Sequence, residues 1–243
     1  MTPRREFAAG VRAEIPILLG VLPFGLIYGA LALQAGIPPA PALAMSSIVF
    51  AGSAQFVTTQ LVAVGAPAGL LLLTTFVVNL RHLLYSASVA PYLHRLRPAW
   101  KAALAYLLTD EAYAVAITHY QQTETADQAV APARRDEPDH RHWFFLGAGL
   151  TLWTTWQAST AAGLYVGAHI PTSWHLEFAL PLTFLALTRP AVTDRATTIT
   201  VLVAGTVAVL AHGLAMRLGI IVAALAGIAA GMVVETRADR RRK

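Results

Sequence analysis

The sequence predicts an all-α, polytopic helical membrane protein with seven or eight membrane segments, and it leaves open an organisation as two repeats with short or broken second segments. Three observations carry the prediction. Of 243 residues, 56% are hydrophobic and only 13% are charged, about half the soluble norm of roughly 25%. From Ile15 to Leu80 there is no Asp, Glu, Lys or Arg, so lipid rather than water is the solvent implied. The apolar runs approach the roughly 20 residues of helix that cross a hydrocarbon core of about 30 Å. A closed barrel would need alternating strands of about 10 residues. Runs such as Leu70–Val78 do not alternate.

Eight candidate segments follow in order: 15–34, 42–64, 69–92, 100–118, 143–168, 176–188, 196–215 and 218–234. The first comes after Arg4, Arg5 and Arg12 and lacks a small-residue cleavage site, which predicts an uncleaved span. Within it, Pro23, Gly25 and Gly29 predict a kink or break. Gly36-Ile-Pro-Pro-Ala-Pro41 separates it from the second segment, whose small residues around Gly52 suit an interrupted helix. Gly65-Ala-Pro67 introduces the third segment and His94–Pro98 the fourth. Residues 119–142 mix Glu, Asp, Arg and Pro without apolar periodicity and predict a loop. His140 and His142 then read as surface residues.

One transmembrane domain, 1–243, is expected, with halves 1–118 and 143–243 joined by that loop. Ala35-Gly36-Ile37-Pro38 recurs as Ala168-His169-Ile170-Pro171, and Asn79 and His212 fall at one offset. Transporters are often built from such repeats. The formal charge of +5 reads as the Lys and Arg excess that holds loops and tails in the cytoplasm, not as a nucleic-acid footprint. Two topologies, with segments two and six either crossing or dipping in and returning, misplace equal numbers of basic residues. They differ in the side assigned to 94–101 and 119–142, and both put the C-terminus on the cytoplasmic side of the bacterial cytoplasmic (inner) membrane. Arg237–Lys243 would meet anionic lipid there. Cysteine is absent, which excludes disulfides and thiolate metal sites. No HExxH, GxSxG or P-loop occurs, so neither enzyme, cofactor nor metal is expected.

The polar residues inside the apolar runs carry the chemistry. Arg81 lies near the middle of 69–92, about 15 Å from water along the axis. That position costs about 2.5–3.5 kcal/mol unless it is paired or wetted. Thr75, Asn79, His82 and Ser86 form one stripe at helical spacing, and Arg81, Tyr85 and Ser88 form a second beside it. Two stripes imply a facing cavity or a partner protein. A structural arginine satisfied by carbonyls is the plainer alternative. His82 could carry a proton or be a hydrogen-bonded core residue. Asp110 and Glu111 supply opposite charge, and at most one of them faces Arg81; they could instead cap a broken helix or face a partner chain. Ser53, Gln55, Phe50 and Phe56 lie in the interrupted second segment, where helix ends suit the ionic groups of an amino acid. Glu177 enters the short sixth segment near the interface.

In chain order, Pro23-Phe-Gly25 with Tyr28-Gly29, Phe50-Ala-Gly-Ser-Ala-Gln-Phe56, Asn79-Leu-Arg-His82 with Leu84-Tyr85, and Thr109-Asp-Glu111 resemble the AzlC family. The second half resembles it through His175-Leu-Glu-Phe-Ala-Leu-Pro-Leu-Thr-Phe184, although the family often has aspartate where Glu177 stands. The resemblance implies the large subunit of a bacterial branched-chain amino-acid exporter, acting with a small AzlD-type membrane protein. It implies efflux of valine, leucine, isoleucine or methionine driven by the proton gradient. In that frame Arg81 meets the substrate carboxylate or is held by Asp110, and His82, Asp110 or Glu111 carries the proton. Asn79, Gln55 and Ser53 orient the polar end, while Phe50 and Phe56 meet the side chain. A channel-like facilitator of another small polar solute and a structural subunit of a membrane complex are the alternatives.

Overall fold

The computed structural model describes residues 2–129, 140–169, 192, 194–211 and 218–242, and no strand occurs among them. The chain divides into two compact units, Met1–Glu177 and Phe178–Lys243.

In the first unit the longest helix is α1, Pro3–Gln34. It runs unbroken through Pro16 and Pro23, which corrects the expectation of a break at Pro23, Gly25 and Gly29. The glycines have another use. Helix α8, Arg141–Gly167, packs along α1, and small residues let the two backbones meet. A Cβ added at Gly29 would lie 2.5 Å from the Thr160 carbonyl oxygen, and one at Gly25 would collide with the Ser159 hydroxyl. The helix therefore needs glycine there for approach, not for flexibility.

Helix α1 ends in a Schellman motif. Gly36 has φ +79, its N–H bonds Leu33 O at 2.9 Å, and the Ile37 N–H bonds Ala32 O at 2.9 Å. The same motif closes α3 at Gly65, φ 66, with Gly65 N to Val62 O and Ala66 N to Leu61 O, both 2.9 Å. Prolines at 38 and 67 follow each stop, so both separators behave as the sequence predicts.

Between these stops the expected segments are divided. Residues 42–64 become α2, Pro39–Val49, and α3, Gly52–Ala63, so Gly52 does sit at an interruption. Residues 69–92 become α4, Ala68–Asn79, and α5, Arg81–Leu93. Residues 100–118 become α6, Pro98–Tyr106, and α7, Asp110–Ala129. Helix α7 overturns the loop expected from 119 onward, as far as Ala129. Among the described residues, two stretches are long and apolar enough to cross a membrane: Pro3–Gln34 and Ala68–Leu93.

His142 is also not a loop residue. It stands in the first turn of α8 with its ring edge-on to Trp100 at 4.9 Å. At the same end His119 stacks on Phe144, ring centroids 3.8 Å apart, and its Nε2 lies 3.1 Å from Glu6 Oε2.

The second unit contains α9, Arg195–Leu210, and α10, Leu218–Arg242, packed on each other. Asp194 and Thr197 form a reciprocal capping box at the start of α9. Segment 176–188, with Glu177, and His212 lie outside the described residues.

Candidate functional site

Three interruptions in the first unit position the polar residues. The first is at Phe50–Ala51, where Phe50 adopts the left-handed conformation, φ 39 and ψ 47. A non-glycine residue held there costs on the order of 1–3 kcal/mol. The carbonyls this break releases are taken up by side chains. Gln157 Nε2 donates to Ser46 O at 3.1 Å, and the Tyr106 hydroxyl donates to Ser47 O at 2.6 Å. Ser47 Oγ donates in turn to Gln157 Oε1 at 3.1 Å, and Trp153 Nε1 donates to the Tyr106 oxygen at 2.7 Å.

The second interruption is mild. At Leu80 the ladder slips to i, i+3 spacing, with Leu80 N to Val77 O at 3.2 Å and Leu83 N to Leu80 O at 3.0 Å. The third lies at 107–109, between α6 and α7. Thr109 caps α7: its Oγ1 accepts from Ala112 N at 3.3 Å, and Asp110 and Glu111 occupy the acidic first turn.

Arg81 joins the interruptions. Its Nη1 donates to Asp110 Oδ2 in a close ion pair, and its Nη2 donates to Ser53 Oγ at 2.6 Å. One guanidinium thus bridges the N-terminal turns of α3 and α7. The two charged side chains are 31% and 37% exposed, so the pair is reachable. Arg81 Nε and Asp110 Oδ1 have no hydrogen-bond partner, which leaves donor and acceptor capacity at the pair. The N-terminus of α3 has no side-chain cap.

The other predicted residues divide into neighbours and packing groups. Asn79 and His82 flank Arg81 in the chain, and Asn79 Oδ1 and His82 Nε2 are buried without partners. The Tyr85 ring stacks on Tyr113 at 4.5 Å and meets His82 edge-on at 5.9 Å, and the Tyr113 hydroxyl donates to Ser88 Oγ at 3.0 Å. Gln55 is wholly buried beside Tyr28. Phe56, 1% exposed, meets Phe24 and Tyr28 edge-on at 6.0 Å each, and Phe50 is buried near Tyr106. Both phenylalanines therefore have partners within the protein. Thr75 pairs with Thr58 at 2.8 Å, tying α4 to α3.

Sequence reasoning missed Gln157 and Tyr106, which hold the broken α2, and it missed Glu14. Glu14 has no exposed surface, and neither of its carboxyl oxygens has a partner. Its signal was register: it lies four residues after Gly10 and eleven before Gly25, on the glycine face of α1.

The family described as AzlC protein matches residues 16–170, well over half of the chain. An inner membrane protein of Escherichia coli, YgaZ, is 26% identical over 189 residues, covering 74% of this chain and 71% of that protein. A membrane protein of Archaeoglobus fulgidus is 27% identical over 226 residues, 91% of this chain and 92% of its own. A Bacillus subtilis protein named "Branched-chain amino acid transport protein AzlC" is 29% identical over 193 residues, 77% and 70% of the two chains. No solved structure matches the chain. With an all-helical fold, buried polar residues in apolar helices and these relatives, the chain is a membrane protein that belongs to the AzlC family.

Proposed function

We propose that this chain is the large subunit of a proton-gradient-driven exporter of branched-chain amino acids in the bacterial cytoplasmic membrane. The observation that carries the proposal is Arg81, a part-exposed guanidinium held at the N-terminal turns of two interrupted helices. Such a cluster of donors suits the carboxylate of an amino acid. Asp110 occupies the guanidinium in this structure, so substrate binding exchanges one carboxylate for another or uses the free Nε. The substrate class is taken from the name of the Bacillus subtilis relative.

In this reading seven or eight segments cross or enter the membrane and the C-terminus is cytoplasmic. The α10 tail, helical to Arg242, contacts anionic lipid, and a small AzlD-type membrane protein completes the complex. Arg81 binds the substrate carboxylate, Ser53, Asn79 and Gln55 orient the polar end, and His82, Asp110 or Glu111 carries the proton. Phe50 and Phe56 line the path of the aliphatic side chain. Glu177 is assigned to the same path by resemblance. A purely structural subunit, with Arg81 paired to another chain, is less well supported because Arg81 finds its carboxylate within this chain.

The test is efflux from cells loaded with valine- and leucine-containing dipeptides. Arg81→Ala should retain both amino acids inside. Unchanged export at normal protein level removes Arg81 from the mechanism, and export that survives a protonophore points to the facilitator reading.

A further inference from the structure

Glu14 lies at 0% exposure with both carboxyl oxygens unpartnered. The helices around it offer few charges. Neither α2 nor α3 contains an ionisable side chain, and α8 contains none between His142 and Tyr165. On α1, Glu6 is two turns away and engaged by His119, and Arg12 is exposed. Helix α7 runs antiparallel to α1, since α1 is parallel and α7 antiparallel to α8; His119 meets Glu6, so Glu111, eight residues before His119, comes level with Glu14, eight residues after Glu6. Asp110, the residue before Glu111, holds Arg81, so Glu14, Glu111 and the Arg81–Asp110 pair follow one another in space.

Two carboxylates at one level of an apolar helix pair, one of them wholly buried, need a proton or another cation between them. In this structure Arg81 points its Nη1 and Nη2 at Asp110 and Ser53, not at these two glutamates. We propose that Glu14 and Glu111 form a cation-exchange site at which a proton and the primary ammonium group of the substrate compete. The inference rests on the exporter reading and deepens it. An amino acid whose carboxylate lies at Arg81 can turn its ammonium toward Glu111. When a proton arrives, a carboxyl O–H bond forms, the ion pair to the ammonium breaks, and the ammonium leaves. Departure of the proton on the other side restores the carboxylate. Mutual exclusion of this kind is what couples inward protons to outward substrate.

The experiment is infrared difference spectroscopy of the full-length protein in liposomes, reading the carboxylic acid C=O stretch. Two probes are added separately: L-leucine, and 3-methylbutylamine, which has the ammonium and side chain of leucine but no carboxylate. A carboxylic acid band should be present without probe. It should be lost in Glu14→Gln, kept in the exposed control Glu235→Gln, and moved in frequency by Glu14→Asp. Both probes should diminish it, and Arg81→Ala should spare the amine effect while removing the leucine effect. A band unaltered by Glu14→Gln overturns the site, and a Glu14 band that neither probe diminishes overturns the competition. Should the amine diminish the band while leucine neither binds nor is exported, the exchange site stands and the exporter reading fails. Helical circular dichroism matching wild type establishes that each variant is folded.

Discussion

Helices α1 and α8 contrast with the group α3, α5 and α7. The first pair is long, continuous and locked backbone to backbone through glycine, with Phe144, Ala148, Leu152 and Trp156 buried along α8. The second group is interrupted, and its polar side chains meet at the interruptions. Helix α4 buries no residue, and α5 buries only Val89 and Leu93. In lipid there is no hydrophobic force between helices, so the close-packed pair is stabilised by contact and the interrupted group by polar bonds. The difference teaches a division: one region is a close-packed wall, and in the other α4 and α5 bury little and are held by polar bonds.

The largest effect should come from breaking the polar group. Arg81→Ala and Asp110→Ala should each abolish export. Loss of one partner from a fully buried ion pair costs about 3–5 kcal/mol. With the side chains 31% and 37% exposed, the stability loss should fall below that range. The double variant should recover stability in thermal unfolding without recovering export. Recovery of export would mean that the pair serves folding alone.

Next is the wall. Gly163→Val would drive a side chain into the Leu26 carbonyl of α1. Overpacking costs about 1–3 kcal/mol where side chains yield, and backbone yields less. The variant should lose thermal stability and yield, while export per folded molecule stays near wild type. Export lost at full stability would erase the proposed division, because α1–α8 would then be moving.

A smaller effect should appear where the two regions join. Gln157→Leu leaves the Ser46 carbonyl and Ser47 hydroxyl without their partner, a loss of about 1–3 kcal/mol if water does not replace it. Faster hydrogen exchange at the end of α2, with α1 unaffected, would place the loss at the interruption.

How much of this was legible depended on whether the signal was local. The apolar runs, the Gly–Pro separators and the break near Gly52 follow from chain chemistry alone. So does the isolation of Arg81 in an apolar segment, since burying that charge is costly wherever the helix goes. Thr109-Asp-Glu111 was equally local: a cap followed by an acidic first turn is a helix start, and the broken-helix alternative read for Asp110 and Glu111 matches the start of α7. Composition misled at 119–129, where polar residues continue a helix beyond the apolar core. Pro23 misled because α1 stays helical through it, and the glycines beside it serve close approach to α8. Glu14 stayed hidden because register puts it on the glycine face of α1 but does not say what covers that face.

The smallest effect belongs to the second unit, which makes it a control for the comparison. The Asp194 carboxyl accepts the Thr197 N–H at 2.7 Å, and that bond holds its pKa below the usual carboxylate value. A depressed folded pKa means the cap is fully present above the ordinary carboxylate range and is lost as pH falls through the lowered value. Amide exchange in the first turn of α9 should therefore quicken on acidification, after correction for the intrinsic pH dependence of exchange. Asp194→Ala should show the quickened rate already at neutral pH, and α1 and α5 should exchange as before. Asp194→Asn should retain part of the protection and lose the pH dependence, because an amide oxygen accepts the same N–H without titrating. An Asn variant as fast as Ala would assign the protection to charge at the helix N-terminus, not to the hydrogen bond.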